Sequence, residues 1–188
     1  MKQKFTLLLL AISLSINVFA QTDKKEITNT FNAYKTTLDN LQLEKSMDFI
    51  YPKLYELIPK EQIVAAFKKT FSDTNLKIKF NNIKLKSISE IISFNKVKYA
   101  LISYSYSMSF TFSEDYSIEE FYTIYQQKYG KNNVQKNDKT RTINIKMDKM
   151  FYAINDPKYG DFWRFLEKNE SQMKLLEMLI PKEIIEKL

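Results

Sequence analysis

Histidine and cysteine are both absent from the 188 residues, so proton transfer in this chain falls to aspartate, glutamate, lysine and tyrosine. The same absence excludes thiol and imidazole nucleophiles, disulfides, and the zinc, copper and haem sites built from those ligands. Two glycines, Gly130 and Gly160, are too few for a glycine-rich phosphate loop. Within these bounds one acid–base arrangement can be written: a pocket carboxylate of raised pKa beside a tyrosine donor, able to enolise a ketone. Asp148 is the strand carboxylate best placed for it, although its parity sets it with Asn144 and Lys146 on a polar face. The alternative is a solvated aspartate. A second chemistry needs no proton transfer. Tyr104, Tyr106, Tyr152 and Trp163 are candidates to line a cavity for an apolar or sugar ligand; the alternative is ordinary core packing of strand aromatics. Nothing in the spacing implies a metal or a cofactor.

The elements that must position these side chains follow from periodicity. Ile27, Phe31, Tyr34, Leu38 and Leu41 recur at helical spacing and predict a first helix over about 24–41, with Asp23 and Glu26 as an acidic start. Leu43, Met47, Ile50 and Tyr51 predict a shorter helix ending before Pro52. Pro59 opens a third, striped by Ile63, Val64, Phe67 and Phe71. The period then drops to two. Leu76, Ile78 and Phe80 alternate with lysines, and the parity flips after Asn81-Asn82, which predicts an irregularity there in an edge-type strand. From Ile102 to Phe112 bulky residues alternate without a break with Ser103, Ser105, Ser107, Ser109 and Thr111. That is a strand over 97–112 with one face for helices and one shallow hydroxyl face. Ser117 and Glu120 form a capping box, and Gly130 closes the helix it starts, 118–129. Lys131 to Thr140 reads as a loop or ragged hairpin. Ile143 to Met147 alternates, Met150 to Ile154 is apolar on both faces, 155–160 is a turn, and Phe162 to Leu166 is a last strand. The tail from Ser171 is helical, restarting at Pro181. Helices, strands with one inserted helix, then helices is an α+β order: a curved antiparallel sheet packed against N-terminal helices, one inserted helix and a C-terminal helix.

The N-terminus predicts an address. Lys2 and Lys4 precede an uncharged run from Phe5 to Phe19, and Val18 and Ala20 are small residues at the −3 and −1 positions of a cleavage site before Gln21. The run is about 15 residues, short of the roughly 20 that span a bilayer. The expected organisation is a signal peptide over 1–20 and one α+β domain over 21–188, exported to the periplasm or the medium. No transmembrane segment is expected in the mature chain. Without Lys2 and Lys4 the formal charge falls from +7 to +5. The basic residues are nearly all lysine, with arginine only at 141 and 164, and no arginine fork or basic–aromatic motif points to nucleic acid. The lysine excess suits a solvated surface attracted to anionic envelope polymers.

The layout of leading helix 27–41, helical run 43–71 and long bent strands 76–166 resembles the nuclear-transport-factor-2-like superfamily. That is the cone-shaped α+β fold of ketosteroid isomerase and polyketide cyclases. The stretches Tyr51-Pro-Lys-Leu-Tyr-Glu-Leu-Ile-Pro-Lys-Glu61 and Asp156-Pro-Lys-Tyr-Gly-Asp-Phe-Trp163 also resemble uncharacterised exported bacterial proteins. The resemblance implies a concave sheet with a pocket and carries over no catalytic residue. The expected function is a non-catalytic small-ligand or partner-binding module of the cell envelope. The alternative is a histidine-free isomerase or cyclase using a pocket carboxylate and tyrosine. A third reading is an interaction protein, homodimeric through the serine face or bound to an envelope protein.

Overall fold

Helices come first, as their apolar stripes require: α1 (Lys2–Asp39), α2 (Leu43–Ser46), α3 (Lys53–Leu57) and α4 (Lys60–Phe71). The computed structural model describes the backbone of residues 2–188 and the side chains of residues 21–188; the side chains of the expected leader over 1–20, with its cleavage point after Ala20, lie outside the described residues. Ile27, Phe31, Tyr34 and Leu38 form one buried stripe of α1. Asp23 does not cap that helix. It lies within α1, buried, and its carboxylate accepts two hydrogen bonds from Lys98 Nζ at 2.9 and 3.0 Å, fastening α1 to the sheet. The helix expected over 43–51 is only one α-turn followed by a 3-10 turn at Met47–Phe49. Ile50 leaves helical geometry to bridge Phe165, and the Tyr51 N–H donates to the Phe165 carbonyl at 2.9 Å.

The strands are β1 (Leu76–Ile88), β2 (Ile92–Phe94), β3 (Val97–Phe112), β4 (Val134–Asn137), β5 (Thr142–Asn155) and β6 (Arg164–Glu167), with α5 (Ile118–Tyr129) between β3 and β4. The six strands pair with one another antiparallel, in one open, curved sheet of order β1-β3-β5-β4. The short β2 extends the β1 edge by pairing with the start of β3, and β6 pairs with the end of β5. β3 and α5 have the bounds that alternation and the capping box predict; Ser117 Oγ accepts the Glu120 N–H. The segments expected around 143–147 and 150–154 are one strand, β5. The turn after it is a 3-10 turn, Pro157–Tyr159, capped by Asp156. β2 carries no glycine signal: Asn95 and Lys96 both take positive φ to make its two-residue turn.

The expected irregularity in β1 is a bulge. The register runs Asn81↔Ser107 and then Lys84↔Ser105, and a second bulge separates Leu85↔Tyr104 from Ser87↔Ser103. Each places two consecutive polar residues, Asn81-Asn82 and Lys86-Ser87, on the outer face. Phe80, Ile83, Leu85 and Ile88 thereby all stay on the inner face, packed against the core. Asn82 adopts φ 55°, which asparagine tolerates and a β-branched residue does not. Asn82→Val is expected to cost about 1–2 kcal/mol in chemical denaturation, and Asn82→Gly close to nothing.

Two layers cover the sheet. The inner face receives α1 at Ile102, Phe151 and Phe165, and α5 at Phe110, Phe112 and Ile143. On the outer face the last helices, α6 (Met173–Leu179) and α7 (Lys182–Lys187), cover only one end, over Tyr99, Tyr152 and Ile154. The rest of the outer face, including the serine stripe, is uncovered.

Candidate ligand-binding pocket

Where α1, α2 and α4 cross the inner face they do not close on it, and a cavity of ≈ 490 Å³ remains. This lies within the roughly 300–1,000 Å³ typical of small-molecule sites. Phe80, Tyr104, Tyr106 and Met108 form its floor on β1 and β3. Leu43, Ile63, Phe67 and Phe71 form the helical wall, and Leu175 and Leu176 of α6 close one end beside Leu166 and Glu167, at the β6 edge of the sheet. The walls are apolar because each of these elements turns its stripe inward.

The polar groups in the cavity are few and are grouped. Tyr34, Tyr104 and Tyr106 all line it, and among the described residues none of their hydroxyls has a hydrogen-bond partner. The contrast with other tyrosines is plain. Tyr51 donates to Asp156 at 2.7 Å, Tyr55 to the Met47 carbonyl at 2.5 Å and Tyr159 to Glu56 at 2.6 Å. Glu167 is the carboxylate in the lining, and it accepts Lys149 Nζ at 2.5 Å. Its charge reaches all three pocket tyrosines. Burial, and then these neighbours, pushes the Tyr34 and Tyr104 hydroxyls well above the ordinary tyrosine range and Tyr106 up to about 12. They are therefore neutral hydrogen-bond donors throughout the physiological range. Beneath them the rings of Tyr106, Tyr104, Phe151 and Phe165 stack in a row, with successive centroids 5.8, 4.6 and 5.5 Å apart. This row fixes the floor, and with it the aim of the Tyr104 and Tyr106 hydroxyls.

These raised pKa values link folding to pH. A tyrosine whose folded pKa exceeds its unfolded value of about 10 contributes stability that is complete below pH 10 and lost as pH rises through the folded pKa. The urea midpoint is expected to be flat to about pH 10 and to fall steeply toward pH 12, where Tyr106 ionises. Following tyrosinate absorbance alongside the midpoint checks this, and Tyr104→Phe/Tyr106→Phe should soften the fall.

The structure brings two of the four aromatic candidates together. Tyr104 and Tyr106 face the cavity. Tyr152 pairs with Leu101, so its parity sends it to the outer face, where it is fully buried beneath α6 and α7. Trp163 faces inward but is packed solid in the α1 core. Neither lines the cavity. The hydroxyl of Tyr152 and Nε1 of Trp163 are buried without a hydrogen-bond partner. Asp148 stands on the outer face, its side chain 75% exposed, paired with Lys86. Sequence reasoning missed Tyr34, taken as part of a core stripe, and Glu167. A signal for the second existed: Lys149 and Glu167 are opposite charges at positions whose parity belongs to the apolar inner face.

A wider depression beside α2 and α4 has mostly charged and polar residues around it, and its Lys60 and Lys68 are already paired with Asp48 and Glu44. Among the described residues no His, Cys, Asp or Glu side chains converge as a metal site, and no helix is long and apolar enough to cross a membrane. Compared with known proteins, the chain matches no family model, no curated protein and no solved structure.

Proposed function

We propose that this is an exported, non-catalytic binding module of the cell envelope. Its inner-face cavity takes a small apolar molecule whose hydrogen-bonding end meets Tyr34, Tyr104, Tyr106 and Glu167. One observation carries the reading: an apolar cavity of ≈ 490 Å³ lined by three tyrosines, two of them buried residues, whose hydroxyls have no protein partner among the described residues. A ligand with acceptor atoms there makes hydrogen bonds that no protein group makes, each worth roughly 0.5–1.5 kcal/mol net. Apolar walls supply the affinity, and the grouped polar end sets orientation. The resemblance to the nuclear-transport-factor-2-like superfamily supports the same reading, since helices preceding and covering one face of a bent sheet leave a cavity of this kind.

The test is titration with N-phenyl-1-naphthylamine, a neutral apolar fluorophore. Saturable 1:1 enhancement, competed by the organic extract of the cell envelope, is expected; an absence of saturable binding overturns the proposal. A second reading, acid–base catalysis, is favoured only by Glu167 lying beside the tyrosines. It predicts that Glu167→Gln abolishes turnover of a bound ketone while fluorophore binding persists.

A further inference from the structure

The uncovered outer face differs chemically from the cavity and stands independently of it. Its floor is a stripe of small hydroxyls on β3, and its two flanks carry charge. Lys77, Lys79 and Lys84 of β1 pair opposite Thr111, Ser109 and Ser105, and Lys146 of β5 pairs opposite Ser107. All four lysines are exposed, and among the described residues none has an ion-pair partner or a hydrogen bond from its ammonium group. The fifth lysine on this face, Lys86, and its single neighbouring carboxylate, Asp148, neutralise one another. The face therefore carries an uncompensated charge of four.

The floor between the charges is ordered. Asn81 Nδ2 donates to Ser109 Oγ at 2.8 Å, Ser109 Oγ donates to Asn144 Oδ1 at 2.5 Å, and the Thr111 and Thr142 hydroxyls hydrogen-bond to each other at 3.0 Å. These bonds run across three strands and hold the side chains low, and each hydroxyl keeps acceptor capacity toward solvent. Strand geometry then fixes the charges. Lys77 and Lys79 lie about 7 Å apart along β1, and β5 lies about 9.5 Å from β1 across the stripe. The result is a shallow trough, hydroxyl and amide at its base, with three free lysines on the β1 bank and Lys146 on the β5 bank.

We infer that this trough binds an acidic polysaccharide chain, the lysines meeting its carboxylates and the Ser–Asn–Thr floor meeting its hydroxyls. Charge complementarity selects a polyanion. The floor selects among polyanions. It offers no aromatic for base stacking and no arginine fork, as a nucleic-acid surface would. It also lacks the apolar fringe of a surface that enters lipid: Met150 is the one exposed large apolar side chain among its strands.

The experiment compares binding of the full chain to polygalacturonate, neutral dextran, phosphatidylglycerol vesicles and a single-stranded oligonucleotide at 150 mM salt. Polygalacturonate is expected to bind most tightly and dextran not at all. The variant Lys77→Gln/Lys79→Gln/Lys84→Gln/Lys146→Gln should weaken polygalacturonate binding at least tenfold. The charge-matched Lys45→Gln/Lys131→Gln/Lys139→Gln/Lys187→Gln, altered at exposed lysines elsewhere, should change it less than twofold. Ser105→Glu, which sets one carboxylate in mid-trough and needs only a single exposed-face substitution, should weaken it as well. Equal losses in the two lysine variants, tighter binding to vesicles or oligonucleotide, or no binding to polygalacturonate overturns the inference. None of these outcomes bears on fluorophore binding at the opposite face.

Discussion

Phe165→Ala is expected to destabilise the protein by about 3–5 kcal/mol, the range for removing a fully buried phenylalanine side chain. Phe165 is fully buried, and its ring closes the stacked row, 5.5 Å from Phe151, while meeting Phe31 at 6.1 Å and Tyr34 at 5.9 Å. It therefore joins α1 to β5 and β6 at one point. Its carbonyl accepts the Tyr51 N–H, so loss of the ring also loosens the segment that leads into α3. Against a total stability of about 5–15 kcal/mol for a domain, the loss is a large share of the whole. Urea denaturation checks it: the midpoint should fall with the slope unchanged. Met178→Ala, at a side chain 59% exposed on α6, should stay within about 0.5 kcal/mol of the wild type. A Phe165→Ala midpoint close to that of Met178→Ala would mean that α1 does not rest on this row.

Filling the cavity is expected to abolish ligand binding without unfolding the chain. Ile63 of α4 and Met108 of β3 line it from opposite walls, and both are only half-buried, with room in front of them. Ile63→Trp/Met108→Trp should raise the Kd for N-phenyl-1-naphthylamine at least tenfold, which is about 1.4 kcal/mol. Each indole is directed into existing space, so the stability cost should stay at or below the roughly 1–3 kcal/mol of an overpacked core. Tyr104→Phe/Tyr106→Phe is the complementary variant. It keeps the cavity's volume and removes two donors, so binding of the fluorophore, which has no strong acceptor, should persist while competition by a natural ligand with an acceptor end weakens. A fluorophore that binds the filled variant as well as it binds the wild type would place it outside the cavity.

The long alternating strand and the capped helix were legible in the sequence because local and tertiary preferences agree there. Ile102 to Phe112 packs one face on helices along its whole length, and Ser117 with Glu120 fixes the start of α5 by itself. The bulge at Asn81-Asn82 was legible for a related reason: two polar residues between two inward apolar ones leave no other solution. Lys86-Ser87 has the same form and marks the second bulge. β5 read as two pieces because Lys149 interrupts its inward apolar series, and Lys149 is the partner of Glu167 at the pocket. The local rule broke where the candidate site is. The pocket itself was not legible, since it depends on how far α2 and α4 stand from the sheet, and those short helices are placed by Ile50 and Tyr51 bridging to Phe165. Parity could have separated Tyr104 from Tyr152, but only with the β3–β5 register in hand.

From Leu76 to Ile88, β1 takes twelve steps to cover the ten that β3 takes from Phe112 to Ile102. Both surplus residues sit on the convex side, so that surface is longer than the concave one, and the ribbon bows toward the helices as a bimetallic strip bends toward its shorter layer. The depth of the cradle is thus set by contour length. A chain shortened by one residue at Asn82 and one at Lys86 would keep every inward side chain inward, yet lie flatter and hold a shallower guest.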